Sequence, residues 1–320
     1  MKRIAILTSG GDAPGMNAAI RAIVRTAISE GLEVSGVMRG FEGLIDGQLM
    51  SLEMSSVSGI LNRGGTILKS ARSDRFKTKD GQRVAVEHLR QYGIDGLITI
   101  GGSGTSHGAH DLAADWDFPV INCPSTIDND VAGTDFTIGF YTAVTTALDS
   151  IDRIRDTATA YDRVFIVEVM GRDAGHLALF SGVAGGAEYI LIPEIPYTLE
   201  DICTSLQKSK ARGKTSNIIV LAEGAGDAPD LAAKIHAMIG FETRYLVIGH
   251  LQRGGPPNAF DRILASRLGS EAVKMLLSGE TDKMVGIEKG EISLHPIPYS
   301  WENKKPIDMS MYQLSQVLSK

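Results

Sequence analysis

Cysteine is scarce: only Cys123 and Cys203 occur among the 320 residues. With no C-x-x-C pair, zinc and disulfide frameworks are disfavoured, and a reducing, cytoplasmic setting is expected. Long apolar runs are missing as well. None approaches the roughly 18 residues a membrane span requires. The opening MKRIAILTSGGD lacks the extended apolar region and cleavage site of a secretory leader. Basic charge is in deficit, with 32 Lys and Arg against 38 Asp and Glu for a net −6. That balance argues against general binding to nucleic acid or to an anionic membrane, though not against local sites for small anions. Glycine is in excess, with 36 residues, and many occupy one kind of position.

That position is the end of a short apolar run. RIAIL leads into TSGGDAPG, GLITI into GGSGTSHG, and FPVIN into CPSTIDND. Later RVFIVEV leads into MGRDAG, NIIVL into AEGAG, and YLVIG into HLQRGG. Runs this rich in Ile, Val and Leu suit strands buried on both faces of a parallel sheet. Helical patterns such as MNAAIRAIVRTAI and FYTAVTTALDSIDRIRDTA separate them. In the first, Ala19, Ile20, Ile23, Val24, Ala27 and Ile28 form an apolar stripe, with Arg21 and Arg25 on another face. ENKKPIDMS reads as a polar turn before a last short helix. Alternating strand and helix predicts a doubly wound α/β fold of about two lobes, with ligands at the carboxyl ends of the strands.

The motifs at those ends carry the chemistry. Gly10 and Gly15 have phosphate-loop spacing, but Met16 and Asn17 stand where Lys and Ser/Thr would be, so this is no Walker A motif. The turn either brings backbone N–H groups to a phosphate or is simply a tight strand-to-helix connection. IGGSGTSHG repeats the theme but has His107 where a dinucleotide fingerprint needs glycine. Two such loops on one sheet edge suggest a ligand with several phosphates. His107 and His110 could share a metal or lie on a solvated helix face. TIDND is no EF-hand, since Gly139 stands where the loop's last glutamate is needed. Its Asp128 and Asp130 remain able to hold a metal or take a proton. Arg72, Arg163, Arg172, Arg244 and Arg253 lie near strand ends, and His250 stands beside the last of them. Five cations with Gly-rich loops and carboxylates match the requirements of phosphoryl transfer.

Taken together, KRIAILTSGGDAPGMNAAIRAIVR, TIDND, DRIRDTA, VEVMGRDAG, VLAEG and GHLQRGG closely resemble the bacterial ATP-dependent 6-phosphofructokinases, from residue 1 to about 295. The resemblance implies two Rossmann-like lobes with mostly parallel sheets and the catalytic cleft between them. The larger, ATP-binding lobe would comprise residues 1–139 and about 252–302. The smaller, sugar-phosphate-binding lobe would comprise about 140–251 and 303–320. It further implies a cytoplasmic homotetramer that uses ATP and Mg²⁺ to phosphorylate fructose 6-phosphate in glycolysis. Asp128 would be the base, Thr126 and Asp130 would flank the reacting phosphoryl group, and Arg172 would neutralise it. Met170, Gly171, Glu223, His250 and Arg253 would hold the sugar phosphate, with Arg163 and Arg244 reaching in from a neighbouring subunit. ATP would lie on Gly11, Arg72, Ser73 and Gly102, Ser103, Gly104 and Thr105. ADP or phosphoenolpyruvate would act as effector at Arg21, Arg25, Arg155, Gly186, Glu188, Arg212 and Lys214.

Three positions depart from the family pattern. Ser103 replaces the aspartate of GGDG that helps hold Mg²⁺, Ser125 replaces a glycine, and His176 replaces an aspartate. Ser103 keeps an oxygen for the metal, with Asp130 as a further ligand, but loses the charge. The expectation is a working but weakened enzyme. The alternative is a catalytically weak paralogue that binds ligands as a regulatory subunit. Pyrophosphate-dependent relatives carry Asp at the place of Gly104 and Lys at that of Ser125; with neither present, ATP is the expected donor.

Overall fold

The computed structural model describes residues 1–161, 163–214 and 216–319. Positions 162, 215 and 320, which fall within the smaller expected lobe, lie outside them. In chain order the strands are β1 (Arg3–Thr8), β2 (Glu33–Val37), β3 (Leu49–Leu52), β4 (Gly96–Gly101), β5 (Val120–Pro124), β6 (Val164–Val169), β7 (Tyr189–Leu191), β8 (Asn217–Ala222), β9 (Thr243–Val247), β10 (Lys283–Glu288) and β11 (Glu291–Pro296). The helices are α1 (Met16–Ser29), α2 (Gly40–Ile45), α3 (Lys79–Gln91), α4 (Ser103–Trp116), α5 (Phe140–Tyr161), α6 (His176–Ala184), α7 (Leu199–Ala211), α8 (Ala228–Ile239), α9 (Ala259–Leu277), α10 (Tyr299–Glu302) and α11 (Met309–Leu318). Two compact units share the chain. The first comprises Met1–Ile127, Val131–Thr142 and Arg253–Lys305; the second comprises Asp128–Asp130, Ala143–Gln252 and Pro306–Lys320.

In the first unit the sheet runs β11-β10-β5-β4-β1-β2-β3. Its central members are parallel, while β3 and β11 close the two edges antiparallel. Every residue of β4 is buried, and so are five of the six in β1, which is why both read as unbroken apolar runs. The chain leaves β1 for β2 on one side and returns to β4 on the other. The loops after β1 and β4 therefore border the point where strand order reverses, the place where such sheets bind ligands. Helices α1 and α9 pack so closely that a Cβ on Gly269 would lie 2.9 Å from the Ala19 carbonyl oxygen. The core on one face of this sheet gathers Leu7, Phe41, Leu89, Leu97, Leu112 and Met284.

The second unit has a four-stranded parallel sheet, β7-β8-β6-β9. Its strand order reverses at β6, so the loops after β6 and β9 border its switch point. Ile166, Leu206, Ile219, Leu221 and Ile235 form its core. Both cysteines are buried and free. Complete burial pushes the Cys123 thiol up to about 12, which keeps it protonated and unreactive. Among the described residues no helix is long and apolar enough to cross a membrane.

Candidate active site

The helix starts differ in their caps, and α2 and α10, behind Arg39 and Pro298, have no side-chain cap. Helices α3, α7, α8, α9 and α11 each begin with a Thr, Asp or Asn whose side chain accepts a first-turn N–H. Helices α1, α4 and α6 begin instead behind Gly15, Gly102 and Gly175, with no side-chain cap. These three follow β1, β4 and β6. A helix start without a side-chain cap leaves N–H groups and a partial positive charge for an anion.

In the first unit, Gly10–Gly15 and Gly101–Thr105 meet. A Cβ on Gly101 would lie 2.2 Å from Thr105 Oγ1 and 2.6 Å from the Ser9 carbonyl oxygen, so only glycine fits. The Thr105 hydroxyl is buried there without a hydrogen-bond partner. Ser103 is the first residue of α4, half-buried, and Gly104 beside it is exposed with open space around it. Arg253, expected at the sugar phosphate, lies against Gly11, where a Cβ would sit 2.5 Å from its Nη1. That Nη1 donates to the Asp12 carbonyl at 3.2 Å. Arg72 is exposed, and the neighbouring Ser73 hydroxyl donates to Glu42 Oε2, with Arg75 on the other oxygen of the same carboxylate. Glu42 had no place in the sequence reading, yet it ties the Ser73 segment to α2. The Ser73 and Arg75 hydrogen bonds hold its carboxyl below the usual range.

The CPSTIDND segment after β5 is fastened to the sheet and to the loop that follows it. Ser125 N–H donates to the Gly101 carbonyl and Thr137 Oγ1 donates to the Thr126 carbonyl. Ser125, where the resemblance leads to an expectation of glycine, is fully buried and its hydroxyl donates to the Ile138 carbonyl at 3.3 Å. Thr126, Asp128 and Asn129 are buried, while Asp130 is half-buried.

In the second unit, Arg172 Nε lies 3.4 Å from Asp128 Oδ2, with the carboxylate only 2% exposed and the arginine largely open. The loop from Met170 to Gly175 is held by acceptors. Glu223 Oε1 takes the N–H groups of Gly171 and Arg172, Gln252 Oε1 takes that of Met170, and Glu194 Oε1 takes that of Gly175. His176 is buried as the first residue of α6. Arg163 and Arg244 both pair with Glu242, at 3.0 and 2.6 Å, and their hydrogen bonds hold its carboxyl low. His250 is exposed in the 3₁₀ turn after β9.

The expected effector residues of this unit also cluster. Arg155 donates to the Gly185 and Gly186 carbonyls, and buried Glu188 pairs with Lys214 at 2.8 Å and with Arg155 at 3.7 Å. Arg212 and Glu188 both line a cavity of about 460 Å³. Arg21 and Arg25 sit half-buried on α1 of the first unit, the Arg25 Nε without a partner. The two histidines of α4 have other work. His107 bonds the Ser103 carbonyl and stacks on Trp301, while His110 pairs with Asp282.

Doubly wound units with glycine-capped helix starts, a buried carboxylate facing an arginine, and clustered cations define a phosphoryl-transfer enzyme of the α/β class. Comparison with known proteins narrows this. The family model for phosphofructokinase matches residues 3–276, and the chain belongs to that family. It is 53% identical to an ATP-dependent 6-phosphofructokinase of Halalkalibacterium halodurans and 52% identical to one of Shouchella clausii, each over 319 residues covering 100% of both chains. The fold superimposes on a crystal structure of Pichia pastoris phosphofructokinase with a TM-score of 0.90 and 34% identity. That match covers 99% of this chain and 38% of the longer one.

Proposed function

We propose that this chain transfers the γ-phosphoryl group of ATP to the 1-hydroxyl of fructose 6-phosphate, giving fructose 1,6-bisphosphate. The pairing of buried Asp128 with Arg172 carries the reading. Asp128 takes the hydroxyl proton as the oxygen attacks, and Arg172, held beside it, meets the charge that develops on the phosphoryl oxygens. Thr126 and Asp130 flank that group. The start of α4, with Gly102, Ser103, Gly104 and Thr105, receives the nucleotide phosphates together with Gly11, Arg72 and Ser73. Met170, Gly171, Glu223, His250 and Arg253 hold the sugar phosphate.

Among the described residues no cluster of three or more His, Cys, Asp or Glu is arranged to hold a metal. The donors fit Mg²⁺ that arrives on ATP rather than a resident ion, since Mg²⁺ needs only one or two protein oxygens beside phosphates and water. Asp130 and Ser103 are the proposed contacts. Bound there, the ion would offset charge on the transferring phosphate.

Exposed Tyr245 and Val247 on the edge strand β9 support a homotetramer in which Arg163 and Arg244 serve a neighbouring subunit. The clustering of Arg155, Gly186, Glu188 and Lys214 supports an effector site for ADP or phosphoenolpyruvate, with Arg21, Arg25 and Arg212 as its other members. The setting is the cytoplasm.

Ser103 supports a second reading, a ligand-binding subunit with little turnover. Loss of one charge contact in the transition state is worth about 3–4 kcal/mol, or about 10²–10³-fold in rate. Coupled turnover of fructose 6-phosphate across a Mg²⁺ titration, for the parent and Ser103→Asp, separates the two. Clear turnover in the parent, with the aspartate mainly lowering the Mg²⁺ requirement, is the expected result. A silent parent beside an active Ser103→Asp would establish the second reading, and faster turnover with pyrophosphate than with ATP would overturn the choice of donor.

A further inference from the structure

Three consecutive backbone N–H groups after β6 are all taken by two side chains distant in sequence. Met170 donates to Gln252 Oε1 at 2.9 Å, and Gly171 and Arg172 donate to Glu223 Oε1 at 3.2 and 2.8 Å. Gly171 has φ of 137° and Arg172 φ of 52°. Successive amides in such a turn form a concave cradle for an anion, and here the Glu223 carboxylate fills it. A left-handed arginine persists only where its surroundings enforce it. The turn after β8 packs directly against it: a Cβ on Gly224 would lie 2.1 Å from the Arg172 carbonyl oxygen, so only glycine admits that approach. From this backbone Arg172 extends its Nε to within 3.4 Å of Asp128.

Gln252 is the unexplained member. It has 0% exposure, and nothing in the proposed chemistry uses it. An N–H can pair only with the carbonyl side of a carboxamide, so the bond from Met170 fixes which way the amide faces. Its Nε2 is then buried with no acceptor, a liability that an apolar side chain of the same length would avoid. What the glutamine offers in return is its Oε1.

We propose that Gln252 is a positioning residue for phosphoryl transfer: by holding the Met170 amide it completes, with Glu223, the splint from which Arg172 reaches Asp128. The proposal rests on the phosphotransferase reading above for its kinetic consequence, but not for the splint itself.

The test is Gln252→Met, which keeps length and packing but removes the acceptor. In the folded variant kcat falls about 10–100-fold, KM for ATP stays within about twofold, and hydrogen exchange at the amides of 170–172 quickens about tenfold or more in the ligand-free protein. Gln252→Glu, which keeps an acceptor oxygen, stays within about threefold of the parent in kcat. In an Arg172→Ala background, Gln252→Met lowers the residual turnover no further, because its effect runs through that arginine. Unchanged kcat in a folded Gln252→Met, unchanged exchange at 170–172, or an equal loss repeated in Arg172→Ala would each overturn the proposal. If Gln252→Met does not fold, Gln252→Glu decides, and a tenfold loss there counts against it. A parent without turnover would sink the phosphotransferase reading and leave the exchange measurement to judge the splint.

Discussion

Asp261 has no part in the proposed chemistry, yet its replacement by asparagine is expected to destabilise the first unit more than most surface changes could. The carboxylate is fully buried in the first turn of α9 and serves the start of α5. Its Oδ1 accepts from Gly139 N–H at 2.9 Å, and its Oδ2 accepts from the N–H and the hydroxyl of Thr142 at 2.7 and 2.5 Å. The Thr142 hydroxyl in turn accepts from Asn258 N–H at 3.0 Å, and Asn258 caps α9. Asparagine can place its one carbonyl on the Thr142 side and satisfy two donors. Its NH₂ then faces the Gly139 N–H, donor against donor, and the remaining bonds lose their charge. One orphaned buried amide costs about 1–3 kcal/mol, and weakening two charge-assisted bonds adds about 1 kcal/mol. The total is about 2–4 kcal/mol. Urea unfolding should register it as a lower midpoint at unchanged slope. Thr142→Val, which removes only the bridging hydroxyl, should cost about 1–3 kcal/mol, and the double variant should fall short of the sum because both act on one network. A loss below about 0.5 kcal/mol for Asp261→Asn, or strict additivity, would refute this account.

Two neighbouring glycines should respond with opposite signs. Gly101→Ala drives a methyl into the Ser9 carbonyl and Thr105 and should destabilise by about 1–3 kcal/mol. Gly104→Ala, on the first turn of α4 with nothing within 4 Å, should stabilise by about 0.5–1 kcal/mol; thermal unfolding of the pair checks both. Glu242 sets an acid limit for the arginine pair in the second unit. Its carboxyl titrates below the ordinary 4.5 because Arg163 and Arg244 bond its charged form. The stability it contributes is therefore complete above that value and lost as the pH falls through the lower folded pKa. The difference in unfolding temperature between the parent and Glu242→Gln should be constant at neutral pH and close under acid; a difference that instead grows as the pH falls would show that the arginines hold Glu242 in some other way.

What the sequence made legible follows from one physical regularity. Strands buried on both faces must be apolar throughout, and the turns at their carboxyl ends must admit close backbone approach, so β1, β4, β6 and β8 announce themselves together with the loops behind them. Strands that lack double burial do not. β2 (EVSGV) carries an exposed Glu33, a central Ser35 and Gly36 beside it, β11 (EISLHP) is nowhere fully buried, and neither stands out as an apolar run. The edge strand β9 begins at Thr243, two residues before the apolar run YLVIG, and the end of that run belongs to the 3₁₀ turn carrying His250. An edge strand is held by its ladder on one side and needs no apolar face on the other, so hydrophobicity misplaces it. The acceptors that tie distant segments together were out of reach for a different reason. Glu42 meets Ser73 across 31 positions, and Asp261 meets Gly139 across 122. Nothing local marks a carboxylate whose donors lie elsewhere in the chain. Gln252 is the instructive case, because GHLQRGG displayed it between two residues of assigned role. An uncharged polar residue with no proposed ligand, in a stretch where His250 and Arg253 each have one, points inward to the backbone, and the Met170 amide is where it goes.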